Sequence, residues 1–164
     1  MKLLVFSDSH GAVRNMLKVI GRVGRHMDGA LHLGDGFFDL DGAVEGLFVM
    51  KVAGNGDALH DEPPFKSFEI AGKNIVMTHG HLYGARAGNV SGLLRLAKET
   101  NADICLYGHT HAPLITRQDG VLIMNPGSVS RPRSAPFPSY GVIEIEPDGA
   151  VIPSIINITP DFFL

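Results

Sequence analysis

The sequence predicts a mixed-sheet α/β sandwich. Two patterns carry that expectation. Through the first half, short apolar runs rich in β formers alternate with a helical segment, as parallel β-α-β units require. Through the second half, Gly- and Pro-punctuated pairs of such runs read as antiparallel hairpins. The chain has 164 residues, 45% of them apolar, which fits one domain spanning 1–164 with a sizeable core.

Each element has its own signal. "KLLVFS" (2–7) is a buried-strand run. In 13–27, Met16, Leu17, Ile20, Val23 and Met27 recur at helical spacing, although Gly21 and Gly24 weaken the helix. "ALHL" (30–33) and "LFVMKV" (47–52) read as strands separated by a weak helix or loop. Pro63-Pro64 then breaks the chain. Segments 65–70 and 74–79 form a hairpin, 90–100 a helix and 103–108 a strand. Segments 113–117 with 121–125, and 139–146 with 150–157, form two more hairpins, and 131–138 is a Pro-rich loop between them.

Bulk properties exclude several functions. Formal net charge is −3, without a run of like charges. That argues against nucleic-acid binding by counterion release and against a polybasic membrane patch. The N-terminal apolar run is too short for a signal sequence, and no stretch approaches the roughly 20 apolar residues of a membrane span. With a single cysteine, Cys105, no intrachain disulfide exists, and a cytoplasmic protein is expected.

The polar residues of interest share one placement: each follows directly on an apolar strand. Asp8 and His10 follow 2–7, Asp35 follows 30–33, Asn55 follows 47–52, His79 follows 74–78, and His109 and His111 follow 103–108. Ligands of open α/β sheets collect outside the carboxyl ends of strands. Five strand ends would thus deliver carboxylates, imidazoles and one amide to a single rim. These are hard-to-borderline donors without a thiolate, suited to manganese, iron, zinc or cobalt. Seven donors exceed what one open catalytic ion needs, and with one shared carboxylate they suit two ions roughly 3.5–4 Å apart. Such a pair clamps the attacking and leaving oxygens of an in-line displacement at phosphorus.

The motifs "D-x-H" (8–10), "GD" (34–35), "GN-x-D" (54–57), "H-G-H" (79–81) and "GHTH" (108–111) resemble those of the calcineurin-like metallophosphoesterases. Each alone is weak, but five in order are specific. Small size and "NPGSVSRPR" (125–133) are most similar to the family's short bacterial and archaeal phosphodiesterases. The resemblance implies a four-layer αββα sandwich with two mixed sheets. It implies that Asp8, His10 and His111 hold a first metal, that Asn55, His79 and His109 hold a second, and that Asp35 bridges them. A hydroxide shared by the ions would attack phosphorus, with Asn55 helping to neutralise the equatorial oxygens. Manganese is the first expectation, with iron, zinc, cobalt or nickel as alternatives. Where many relatives carry a histidine thought to protonate the leaving group, this chain has Gly56. That favours diesters with good leaving groups and leaves His81 or a metal-bound water as the substitute acid, the other reading of His81 being a hydrogen bond behind the ligands.

The remaining candidates carry two readings each. Ser128 of "NPGS" either meets a phosphate or closes a loop. Arg133, or its neighbour Arg131, either reaches a substrate anion or is solvated surface. Asp57 reads as support behind the ligands, Asp39 and Asp41 as caps or hydrogen-bond partners, and Cys105 as an inert buried thiol. His26, His32 and His60 lie outside the motifs, and His32 reads as a satisfied core histidine. The expected partner is a small phosphoester, with no nucleic acid and no membrane, and free strand edges could pair two copies of the chain. The rival functions are a phosphomonoesterase, acting on protein or nucleotide, and a metal-binding scaffold without turnover.

Overall fold

The computed structural model describes the whole chain except Ala43, His60, Ala87, Leu164 and the side chain of Phe163. Its strands are β1 (Lys2–Phe6), β2 (Gly29–His32), β3 (Phe48–Lys51), β4 (Phe65–Ile70) and β5 (Lys73–Thr78), then β6 (Ile104–Leu106), β7 (Leu114–Gln118), β8 (Val121–Asn125), β9 (Ser139–Ile145) and β10 (Val151–Asn157). Helix α1 (Val13–Val23) follows β1, and α2 (Ser91–Glu99) precedes β6.

The strands form two five-stranded sheets, ordered β10-β9-β1-β2-β3 and β4-β5-β6-β8-β7. Both are mixed. In the first, β1, β2 and β3 run parallel, and the β9–β10 hairpin joins β1 antiparallel. In the second, β5, β6 and β8 run parallel, with β4 and β7 antiparallel at the edges.

The strand period of two explains why these runs are apolar without a break. Leu3 and Val5 of β1 face the core between the sheets, whereas Leu4 and Phe6 face the layer of α1. Ile104 and Leu106 of β6 likewise face the inter-sheet core, and Cys105 faces α2. Three apolar layers result, and the order of the molecule is α-β-β-α. Each fully buried aliphatic side chain contributes about 1.5–3 kcal/mol, so truncating a residue such as Leu106 to alanine would cost about 2–5 kcal/mol.

Two helical details differ from the periodicity reading. Helix α1 stops at Val23 and continues as a 3-10 turn over Gly24–His26, because Gly21 and Gly24 weaken its last turn. Leu17 is 45% exposed, whereas Val19 is buried beside Met16. Position 17 lies about 100° round the helix from position 16, off the stripe that faces the sheet. No helix of the described residues is long and apolar enough to cross a membrane.

Candidate metal centre

The carboxyl ends of β1, β2 and β3 in one sheet, and of β5 and β6 in the other, meet at one rim. Backbone hydrogen bonds lace their loops together: Asp8 N–H donates to Gly34 O, His10 N–H to Asp35 O, and Gly108 N–H to His79 O. The loop after β8 closes the rim through Arg133 N–H to His111 O, at 2.9 Å.

Asp8, His10, Asp35 and His111 each place one donor atom within 4.8 Å of all the others. His111 Nε2 lies 3.2 Å from Asp8 Oδ1, and His10 Nε2 lies 3.8 Å from Asp35 Oδ2. His79 joins from the second sheet, with Nε2 3.5 Å from Asp35 Oδ1 and 4.0 Å from Asp8 Oδ1. The His79 ring sits 5.2 Å from that of His109, centroid to centroid.

Outer contacts turn these donors inward. His79 Nδ1 lies 2.7 Å from Leu33 O, and His111 Nδ1 lies 2.7 Å from Arg131 O. A carbonyl only accepts, so both Nδ1 atoms carry the proton and both Nε2 lone pairs face the centre. Asp8 Oδ2 accepts from Ser7 Oγ at 2.6 Å and from His109 N–H at 3.0 Å. Asp8 Oδ1 and His79 Nε2 are left buried without a hydrogen-bond partner. A buried anionic oxygen and a lone pair with no donor are costly unless a cation lies between them. The residues therefore fit a divalent cation held by oxygen and imidazole nitrogen.

Charge is tuned the same way. Burial pushes the Asp8 pKa up, but His111, His79 and the Ser7 hydroxyl outweigh it, and the carboxyl sits below its usual range. The adjacent Asp8 carboxylate raises the His111 pKa against the effect of burial. Burial, then the neighbouring His79, lowers His109 and His81.

Backbone strain marks the same residues. Among the described non-glycine residues, ten have positive φ, and five of these are Asp8, His10, Asp35, His109 and His111. Such conformations persist only where the surroundings over-determine them, and they gather at functional sites. Sequence periodicity carries no sign of this beyond the Gly, Asp and His crowded behind the strand ends. Asp57 supplies much of the constraint. Its Oδ1 accepts the N–H of Gly36 and Phe37, and its Oδ2 accepts those of Asp35 and Gly54. Behind the loop of β1, the fully buried His32 lies 2.9 Å from Ser9 Oγ, which donates to Asp39 Oδ2.

The other residues singled out in the sequence divide. Asn55 is exposed, and it lines a cleft of about 360 Å³ with His10, Asp35, His109 and His111. Arg131 and Arg133 form the far wall of that cleft. His81 is half-buried beside His79, with a ring-centroid distance of 5.4 Å, and its Nδ1 has no hydrogen-bond partner. Ser128 is fully buried and absent from the cleft walls. Its hydroxyl donates to Asp8 O and accepts the N–H of Ser130 and Arg131, which uses its full capacity to hold the loop. Asp41 pairs with Lys51 at the surface, and His26 is exposed. Burial in the α2 layer pushes the Cys105 thiol up to about 12. His60 lies outside the described residues.

Comparison with known proteins agrees with this geometry. The calcineurin-like phosphoesterase superfamily domain matches residues 1–148. YsnB of Bacillus subtilis, a probable metallophosphoesterase, is 31% identical over 153 residues, which cover 93% of this chain and 89% of that protein. The Escherichia coli phosphodiesterase YfcE is 31% identical over 104 residues, 58% of this chain and 52% of YfcE. The crystal structure of a conserved uncharacterized protein and predicted phosphoesterase from Streptococcus pneumoniae TIGR4 matches with a TM-score of 0.76. It is 31% identical and covers 95% of this chain and 97% of that one. The chain belongs to the calcineurin-like phosphoesterase superfamily.

Proposed function

We propose that this chain is a phosphodiesterase that works with two divalent metal ions. The observation that carries the proposal is the pair of buried, unpartnered atoms, Asp8 Oδ1 and His79 Nε2, 4.0 Å apart beside the Asp35 carboxylate. The two oxygens of Asp35 face different histidines, Oδ1 toward His79 and Oδ2 toward His10. In this reading one carboxylate is shared by two donor groups, Asp8, His10 and His111 for one ion and Asn55, His79 and His109 for the other. When bound, divalent ions there would supply Lewis acidity and a water acidic enough to attack phosphorus near neutrality.

The chain's own residues bind and orient. Arg131 and Arg133 give the cleft its positive wall, where a phosphate or an anionic arm is held. Asn55 offers an amide to an equatorial oxygen from the same cleft. His81, with its ring 5.4 Å from that of His79 and 6.1 Å from that of His109, is assigned the exchange of a proton with a leaving oxygen in this reading. Burial and the neighbouring His79 and His109 lower its pKa, so it is a weak acid source near neutrality. Leaving groups that depart without protonation suit such a site, which favours activated diesters over alkyl monoesters. The similarity to YfcE, a phosphodiesterase, supports the same class.

The test is metal analysis combined with turnover. Protein reconstituted with Mn²⁺ should hold two ions per chain and hydrolyse bis(4-nitrophenyl) phosphate faster than 4-nitrophenyl phosphate. Absence of turnover with Mn²⁺, Ni²⁺, Co²⁺ and Zn²⁺ across neutral pH would sink the enzymatic reading and leave a metal-binding scaffold. A faster monoester rate would make the chain a phosphomonoesterase.

A further inference from the structure

A second cleft, of about 240 Å³, borders the centre without the arginines. It shares His10 and Asp35 with the first cleft, and its own walls are Phe37, Phe38, Asp39, Gly56 and Asp57. Phe38 is 62% exposed, an unusual amount of aromatic surface to leave beside a polar centre. The Phe37 and Phe38 rings meet edge to face, with centroids 5.2 Å apart. Their arrangement presents aromatic surface to the cleft instead of burying it in the pair.

Charge defines what fits there. Lys51 Nζ stands 4.4 Å from the Phe37 ring centroid and 5.6 Å from that of Phe38, and Lys66 Nζ stands 5.7 Å from Phe37. The carboxylates in the walls are turned to protein donors: Asp57 takes four backbone N–H groups, and Asp39 takes Ser9 Oγ and Gly11 N–H. The lysines behind the rings are paired as well, Lys51 with Asp41 and Lys66 with Glu62, so the cleft offers apolar rings without an unmatched charge. Such walls suit a planar aromatic group.

Size and access agree. The volume is below the roughly 300–1,000 Å³ of pockets that engulf a drug-sized ligand, so the cleft takes one arm of a substrate. Gly56 brings the cleft wall against the centre, since a Cβ there would stand 3.0 Å from Asp35 Oδ1.

We infer that Gly36–Asp39 and Gly56 form a subsite for an aromatic arm, aryl or nucleobase, of a phosphoester whose phosphate lies at the metal centre. The inference rests on the phosphoester reading of that centre. Phe38 is then a specificity residue that binds the arm and takes no part in bond cleavage.

Calorimetry on the Mn²⁺-loaded protein tests it without turnover. Two ligand pairs separate the sources of the ring: phenylphosphonate against methylphosphonate, and adenosine 5′-monophosphate against ribose 5-phosphate. In at least one pair the aromatic member should bind about 5- to 10-fold tighter. Phe38→Ala should cut that preference to within about twofold and leave methylphosphonate affinity unchanged. Leu17→Ala, at an exposed position of α1 outside the cleft walls, should change neither. The inference is overturned if neither pair shows a preference, or if the preference survives both Phe38→Ala and Phe37→Leu. Failure of all four ligands to bind overturns it together with the phosphoester reading. An aromatic preference without turnover of any phosphoester would sink the enzymatic reading and leave the subsite standing.

Discussion

His10 and His111, 101 residues apart in the chain, bring their Nε2 atoms to 3.3 Å of each other. With Nδ1 of His111 protonated and bonded to Arg131 O, its Nε2 presents a lone pair to its neighbour. Two ligands bound to one ion at about 2.0–2.1 Å stand close to this distance apart. The protein is thus arranged around a charge. Chelation should lower the melting temperature, and restoring Mn²⁺ or Zn²⁺ should raise it. At a hundredfold excess over Kd the gain is about 2.7 kcal/mol, readable by scanning calorimetry.

The two histidines of "GHTH" should serve different donor groups. His111→Ala removes a neighbour of Asp8 and His10, whereas His109→Ala removes one of His79. Elemental analysis should show each variant keeping about one ion of two, with activity reduced by about 100-fold or more. Two retained ions and full activity in both variants would refute the two-group reading.

Gly108 is required for space. A Cβ there would stand 1.9 Å from Ser7 Oγ and 2.9 Å from Asp8 Oδ2. Gly108→Ala must therefore push Ser7 off Asp8, and the carboxylate loses one of the two donors that orient it. The expected result is a loss of about 1–3 kcal/mol in urea melts together with at least tenfold weaker metal binding. Unchanged metal affinity would show that Ser7 does not orient Asp8.

Asp57 ties four backbone amides that surround Asp35. Burial opposes its ionisation, but the amides prevail and its pKa lies below the ordinary 3.8. Its stabilisation is complete above that ordinary value and is lost as pH falls through the lowered one. Asp57→Asn should destabilise by about 2–4 kcal/mol at neutral pH. The gap from wild type should close below about pH 4, as thermal melts across pH would show.

His32 works in a higher window. Burial lowers its pKa from 6.5 to about 4. Below pH 6.5 the unfolded chain takes up a proton that the folded one refuses. Stability is thus complete above 6.5 and falls as pH drops toward 4, by about 3 kcal/mol in all. His32→Gln, measured in chelator, should flatten that slope. An identical slope in the variant would assign it to other groups.

The strand order of ligands was legible because each ligand sits one to three residues past an apolar run, and burial on both faces makes such runs continuous. Hairpin pairings were legible from "AGK", "QDG" and "PDG" between apolar segments. Local conformation was not. A helix or strand announces itself by periodicity, but the left-handed φ of Asp8, Asp35 or His109 is held with partners distant in sequence: Gly34 O for Asp8, Asp57 for Asp35 and Asp8 for His109. For the same reason Ser128 was undecided, because its hydroxyl is consumed by Asp8 O, 120 residues away. The Phe37–Phe38 pair drew no notice, since apolar residues after a strand commonly mean core.

The centre draws Asp8, His10 and Asp35 from one sheet and His79, His109 and His111 from the other. A cation held by both sets is a reversible rivet across the sandwich, acting where the apolar filling between the sheets ends. Its departure would loosen that end of the molecule first. Amides at the carboxyl ends of β1 and β6 should then exchange with solvent sooner than those at the opposite ends of the same strands.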